Sequence, residues 1–100
     1  MYNYTTPTIS CLFPGFDFTN VDYVRIAIKS ANHLLVRIVN IADIDTEKNI
    51  AYIHLTQEET IDFGVGTISI QARIHYTDGS VLPTNECITQ MKDVLDKEII

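Results

Sequence analysis

The sequence predicts an all-β domain, an antiparallel β-sandwich of about seven strands with one short helical turn near residues 56–62. Two observations support this fold class. Ile, Val and Thr, whose branching at Cβ favours extended backbone, make up 33 of the 100 residues, whereas Ala and Leu number only 5 and 6. Apolar and polar residues also alternate along several short segments that are separated by turn residues. A small β-barrel is the alternative architecture.

Length and charge limit the classes of protein that this chain can belong to. One hundred residues with 46% apolar content fit a single domain, residues 1–100, with one modest core. The formal net charge of −6 disfavours binding to nucleic acid and to anionic membranes, since both draw affinity from clustered Lys and Arg. No apolar run approaches the ~18 residues of a membrane span, and the first residues lack the features of a signal peptide. We therefore expect no secretion through a signal peptide, and reduced thiols.

The first half of the chain contains three predicted strands. They cover Thr8–Phe13, Asp22–Ser30 and Leu34–Asn40, and in the second of these Val24, Ile26 and Ile28 point inward. The two residues Ala31-Asn32 are short enough for a hairpin turn, since Asn is able to take a positive φ. Residues 1–7 are expected to be a loose start.

The second half carries the clearest signals for local structure. The polar residues 42–49 predict a loop, and 50–55 predict a strand. Thr56 and Glu59 have the spacing of a capping box, which predicts the helical turn. From Thr67 to Tyr76, five apolar residues alternate with five polar ones without exception, and Asp78-Gly79 then favours a hairpin.

The last part of the sequence is less regular. Val81 to about Met91 predicts a final strand that Pro83 interrupts, as is typical of an edge strand or a bulge. Residues 92–100 are compatible with either helix or strand. The number of strands and their spacing suit a sandwich of immunoglobulin-like size.

The residues that usually carry chemistry show no pattern of a catalytic, metal or cofactor site. His33, His54 and His75 lack the spacing of metal ligands, and a carboxylate series starting at Asp43 lacks the Gly and Glu that complete a calcium loop. Cys11 shares an apolar face with its neighbours and is expected to be an inert buried thiol. Cys11 and Cys87 lie on the first and last strands, which sandwiches often bring together, but no bridge is predicted. We expect no catalytic residue, no metal, no cofactor and no small-molecule substrate.

Three segments in the second half resemble a known group of proteins. They are IHLTQEET (53–60), GTISIQARIHYTDG (66–79) and DVLDKEII (93–100). In this order and spacing they are similar to small immunoglobulin-like proteins encoded by phages and prophages of Gram-positive bacteria, and more distantly to the N-terminal domain of siphophage baseplate proteins. The chain departs from antibody-type domains in having no Trp and no cysteine pair across the core, and it lacks the Gly expected near the end of its relatives.

The resemblance implies a non-enzymatic structural or tail-accessory protein that acts through protein–protein contacts, with other virion or tail proteins or with itself. Such a protein would be found in the virion, or in the host cytoplasm during assembly. The partner interface is expected at apolar residues outside the clear strands, which need a partner or a core to cover them. The candidate interface residues are Tyr2 and Tyr4 near the start of the chain, or Val94, Leu95, Ile99 and Ile100 near its end. The alternatives are that they simply cover the end of the sandwich, or that the chain is a carbohydrate- or cell-surface-binding module.

Overall fold

The structure is a computed structural model that describes residues 1–100, and it confirms the all-β, sandwich-like fold. Seven strands, one α-helix and one 3₁₀ turn follow each other along the chain. They are β1 (Thr8–Leu12), β2 (Val21–Lys29), β3 (Leu34–Asn40), the 3₁₀ turn (Ile41–Asp43), β4 (Ile50–His54), α1 (Gln57–Phe63), β5 (Gly66–Tyr76), β6 (Val81–Pro83) and β7 (Cys87–Met91). No helix in the chain is long and apolar enough to cross a membrane.

The strands form two antiparallel sheets of unequal size. The large sheet has the order β3-β2-β5-β6, and β7 pairs with the other end of β5. The small sheet is a ribbon of β1 and β4. The core lies between the two sheets, because the alternation of each strand sends one set of side chains inward. Val24, Ile26 and Ile28 of β2 are completely buried there.

Strand β5 is the central element of the large sheet, and its alternation is the one the sequence predicts. Ile68, Ala72 and Ile74 are buried, while Ile70 and Tyr76 pack against the core. The polar residues between them face outward. Gly79 has a φ of +89° in the hairpin that follows, and this confirms the predicted Asp-Gly turn.

Strands β6 and β7 are two parts of one interrupted edge strand. At the break, the Thr84 amide donates to the Ala72 carbonyl oxygen over 2.8 Å, and the Ala72 amide donates to the Thr84 hydroxyl over 3.0 Å. A side chain therefore takes over the place of a backbone partner where Pro83 ends β6. This matches the predicted interruption of the last strand.

Helix α1 begins at the predicted capping box. The Thr56 hydroxyl accepts from the Glu59 amide, and the Glu59 carboxylate accepts from the Thr56 amide. Glu59 also forms an ion pair with Arg37 of β3. Partial burial raises the pKa of Glu59, but the hydrogen bonds from Thr56 and the charge of Arg37 outweigh this effect and lower the pKa below its usual value.

The predicted hairpin between β2 and β3 is present, and its turn does not need a positive φ at Asn32, because the hydroxyl of Ser30 accepts from the amides of Asn32 and His33. Two other expectations for local structure are wrong. Cys11 is only half-buried. The start of the chain is not loose, because hydrogen bonds attach it to the segment after β7.

Candidate interaction surface

The first and last segments of the chain lie side by side. The Asn3 amide donates to the Lys92 carbonyl oxygen over 3.0 Å, and the Lys92 amide donates to the Met1 carbonyl oxygen over 2.8 Å. Tyr2 and Lys92 form an isolated parallel β-bridge. Two segments about 90 residues apart in sequence are therefore hydrogen-bonded neighbours in the structure.

The side chain of Asn3 ties the two segments together. It is 6% exposed, its Nδ2 donates to Asp93 Oδ1 over 2.9 Å, and its Oδ1 accepts from the Val94 amide over 3.0 Å. A buried amide has to satisfy both its donor and its acceptor, and Asn3 does so across the two segments. This arrangement holds the first three residues against residues 92–94.

The six residues predicted as a partner interface are distributed over these joined ends. We call the set the terminal surface; it consists of Tyr2, Tyr4, Val94, Leu95, Ile99 and Ile100. Tyr4 and Val94 are half-buried, whereas Tyr2, Leu95, Ile99 and Ile100 are exposed. Because the two segments lie side by side, the structure places Tyr2 next to the start of the C-terminal tail.

The C-terminal tail, residues 92–100, contains neither the helix nor the strand that its sequence allows. Its last residue is held at the start of α1, where Gln57 donates to the carbonyl oxygen of Ile100 and accepts from its amide over 3.0 Å. Lys97 pairs with Asp93 over 2.9 Å, and this bond lowers the pKa of Asp93. The tail is therefore hydrogen-bonded at both ends, through Val94 and Ile100. Its apolar side chains nevertheless face solvent, since Leu95 is fully exposed and Ile100 is 96% exposed.

Tyr2 is the exposed aromatic residue of this surface. The Nζ of Lys92 lies 5.8 Å from the centre of its ring, within the range of a cation–π contact. Tyrosine offers a large contact area with few rotatable bonds, which is why it is enriched in protein interfaces. Tyr4 has a φ of +56°, a left-handed conformation that is uncommon for an aromatic residue.

A second feature is an apolar groove of about 610 Å³ along the open side of the sandwich. It runs between β1 and the interrupted edge strand, because the two-stranded ribbon does not cover the whole inner face of β5. Cys11 and Cys87 both line it, so the structure brings the first and last strands together as the sequence allowed. Burial and the nearby Cys87 raise the pKa of Cys11.

The three histidines contact different partners. The ring of His33 packs on Phe63 with centroids 5.3 Å apart, and His54 Nδ1 lies 2.7 Å from the Thr8 hydroxyl oxygen. His75 stacks on Tyr23. No group of three or more His, Cys, Asp or Glu residues is arranged to hold a metal ion.

A third feature, which the sequence alone does not reveal, is a basic outer face on the large sheet. Arg25 and Arg73 occupy directly opposite positions on β2 and β5. The signal is present in the sequence as outward-facing arginines on two strands. It becomes visible only once the strand order makes those strands neighbours.

Comparison with known proteins gives no relative from which a function could be transferred. No family model, no curated protein and no solved structure matches this chain.

Proposed function

We propose that this chain is a non-enzymatic structural or tail-accessory protein of a phage or prophage particle, and that it works by protein–protein contact through the terminal surface. The observation that carries the proposal is the joining of the two ends of the chain. It gathers exposed aromatic and aliphatic side chains onto a segment whose backbone is hydrogen-bonded at both ends.

The anchored tail supports a role in contact rather than in covering the core. Leu95 and Ile100 cover nothing in the monomer, since they are essentially fully exposed. Fixing the tail in advance also reduces the conformational entropy that a partner must overcome on binding. Exposed apolar residues grouped on an ordered segment are typical of interaction sites.

The phage assignment comes from the resemblance of the segments 53–60, 66–79 and 93–100. In the structure these segments form the end of β4 with the start of α1, the whole of β5 with the turn that follows it, and most of the C-terminal tail. The first two belong to the scaffold, whereas the third contributes to the terminal surface.

Particle incorporation tests this proposal. The gene is altered in the lysogen or phage that carries it, particles are purified, and the protein is detected with an antibody. We expect wild-type protein in the particles and a loss of at least about tenfold for the variant Leu95→Ser/Ile99→Ser/Ile100→Ser, because those side chains would form the centre of the contact.

The matched control is Leu12→Ser, which removes an exposed aliphatic side chain from β1, outside the terminal surface. Circular dichroism and thermal melting establish that both variants fold. Absence of the wild-type protein from purified particles contradicts the structural role. Normal incorporation of the triple variant contradicts the assignment of the terminal surface.

A further inference from the structure

The outer face of the large sheet is basic, whereas the rest of the molecule is acidic. The outward positions of its strands carry Arg25, Lys29 and Arg73, which are three of the seven basic residues of the chain, and the only acidic residue within these strands is Asp22, at the register shift where β2 begins. The other four basic residues and the other twelve acidic residues lie elsewhere. Asp22 and Asp78 lie only at the rim of this face, near His75.

The two arginines form an unfavourable pair within the monomer. Arg25 and Arg73 stand directly opposite each other on antiparallel strands, and like charges in such positions are destabilising. Neither belongs to an ion pair of the chain, which are Arg37–Glu59, His75–Asp22 and Lys97–Asp93. An acidic group bound between the two guanidinium groups would relieve the repulsion.

A shallow depression of about 180 Å³ lies where such a group would bind. It is lined by Tyr23, Arg25, Arg73, His75 and Val81. The rings of Tyr23 and His75 are stacked, with centroids 4.5 Å apart and planes 8° from parallel, and they form a flat wall beside the arginines. The paired N–H donors of a planar guanidinium group match the two oxygens of a carboxylate.

Exposed apolar side chains surround the charged centre. They are between 47% and 67% exposed and share the outer face: Leu34, Ile38, Val81 and Ile88. A face that combines aliphatic residues, Tyr and Arg and excludes Asp and Glu has the composition of the centre of a protein interface.

We propose that this basic face docks onto a second copy of the chain, with the acidic turn at residues 43–47 of that copy bound at Arg25 and Arg73. Charge selects this partner. Two basic faces would repel each other, whereas the rest of each copy is strongly acidic. Within it, the turn gathers Asp43, Asp45 and Glu47 in five residues, and Asp43 and Glu47 are exposed and absent from the ion pairs.

The inference rests on the proposed function in taking protein contact as the role of the chain, and it names one partner for that role. The acidic turn begins next to the basic face, since Asn40 pairs with Tyr23 and the turn follows at residue 41. The basic face and the acidic turn are therefore adjacent on each copy. This placement allows a closed dimer in which each copy supplies one basic face and one acidic turn.

Light scattering coupled to size-exclusion chromatography tests the proposal on the full chain. We expect a mass above the monomer value of 11.3 kDa at about 50 mM NaCl, and a return to the monomer at about 500 mM, because salt screens exposed charge pairs. The variant R25E/R73E should lose association by at least about 100-fold at low salt, since like charges then face each other. R25K/R73K keeps the charge and should retain partial association.

A charge swap makes the test specific to this contact. The variant D43R/E47R should be monomeric alone, as R25E/R73E should be, and a mixture of the two variants should restore association. Thermal melting establishes that each variant folds. A monomer at every salt concentration overturns the inference, and so does a variant R25E/R73E that associates like the wild type. Either outcome leaves the proposed function standing, because particle incorporation tests that function separately.

Discussion

Replacing Asn3 with alanine should loosen the joined ends of the chain. The substitution Asn3→Ala removes the hydrogen bond from Nδ2 to Asp93 and the bond that Oδ1 accepts from the Val94 amide. It leaves the backbone bonds between the segments in place. The perturbation therefore isolates the contribution of one buried side chain to the position of the tail.

The expected loss follows from the two bonds. Each hydrogen bond contributes about 1 kcal/mol net to stability, and the bond to Asp93 does not reach the higher range for charged partners because that carboxylate is 44% exposed. We expect the free energy of unfolding to fall by about 2 kcal/mol. For a domain of this size the melting temperature would then fall by about 8–16 °C.

Urea denaturation gives the free energy of unfolding, and hydrogen exchange followed by NMR shows whether the Val94 amide loses protection first. Asn3→Asp is the matched control, since it keeps an acceptor for the Val94 amide but places a second carboxylate against Asp93. It should be at least as destabilising at neutral pH, and it should recover below about pH 4, where carboxylates become protonated.

A double-mutant cycle of Asn3→Ala with Asp93→Ala should give a coupling energy of about 1 kcal/mol. A free energy of unfolding of Asn3→Ala within about 0.5 kcal/mol of wild type, together with unchanged exchange at the Val94 amide, would refute this role of the Asn3 side chain. Such a result would mean that the backbone bonds alone position the tail.

Three further predictions concern the helix cap and the thiols. Thr56→Ala should lower the free energy of unfolding by about 1 kcal/mol, measured in urea, because it removes the cap of α1, and Thr56→Ser should restore it. The pKa of Glu59 is lowered in the folded state, so its contribution to stability is present above about pH 4.5 and is lost as the pH falls through the folded value. Glu59→Gln should therefore weaken the decrease in unfolding free energy below pH 4.5, and an unchanged pH profile would contradict this. Cys87 is exposed while the pKa of Cys11 is raised, so iodoacetamide at pH 8 should alkylate Cys87 first, as mass spectrometry of Cys87→Ser and Cys11→Ser can show.

Local patterns predicted the strands and the helix well, because each depends on neighbouring residues. The alternation around Ile26 and Ile74 reflects the two-residue period of a strand, and the capping box joins Thr56 to a residue only three positions away. The turn at Asn32 shows the limit of this reasoning. Ser30 accepts the hydrogen bonds there. Ser and Asn can both stabilise a turn through their side chains, so the sequence does not show which of the two does so.

The candidate sites depended on contacts between distant parts of the chain, which a single sequence does not specify. The apolar character of Leu95 and Ile100 was visible, but the role of Asn3 was not, since nothing local distinguishes a buried Asn from an exposed one. The opposition of Arg25 and Arg73 required the order of β2 and β5 in the sheet. The sequence shows that these two residues are charged, but it does not show which residues lie next to them in the sheet.

The interruption at Thr84 shortens one of the two edges of the large sheet. A long, straight edge offers an uninterrupted row of free amide and carbonyl groups to any other extended chain. Here the row is divided into segments of three and five residues, with Pro83 at the end of the first. The Thr84 hydroxyl bonds the backbone of Ala72 at the gap, so this edge offers another extended chain two short rows of backbone groups in place of one long row.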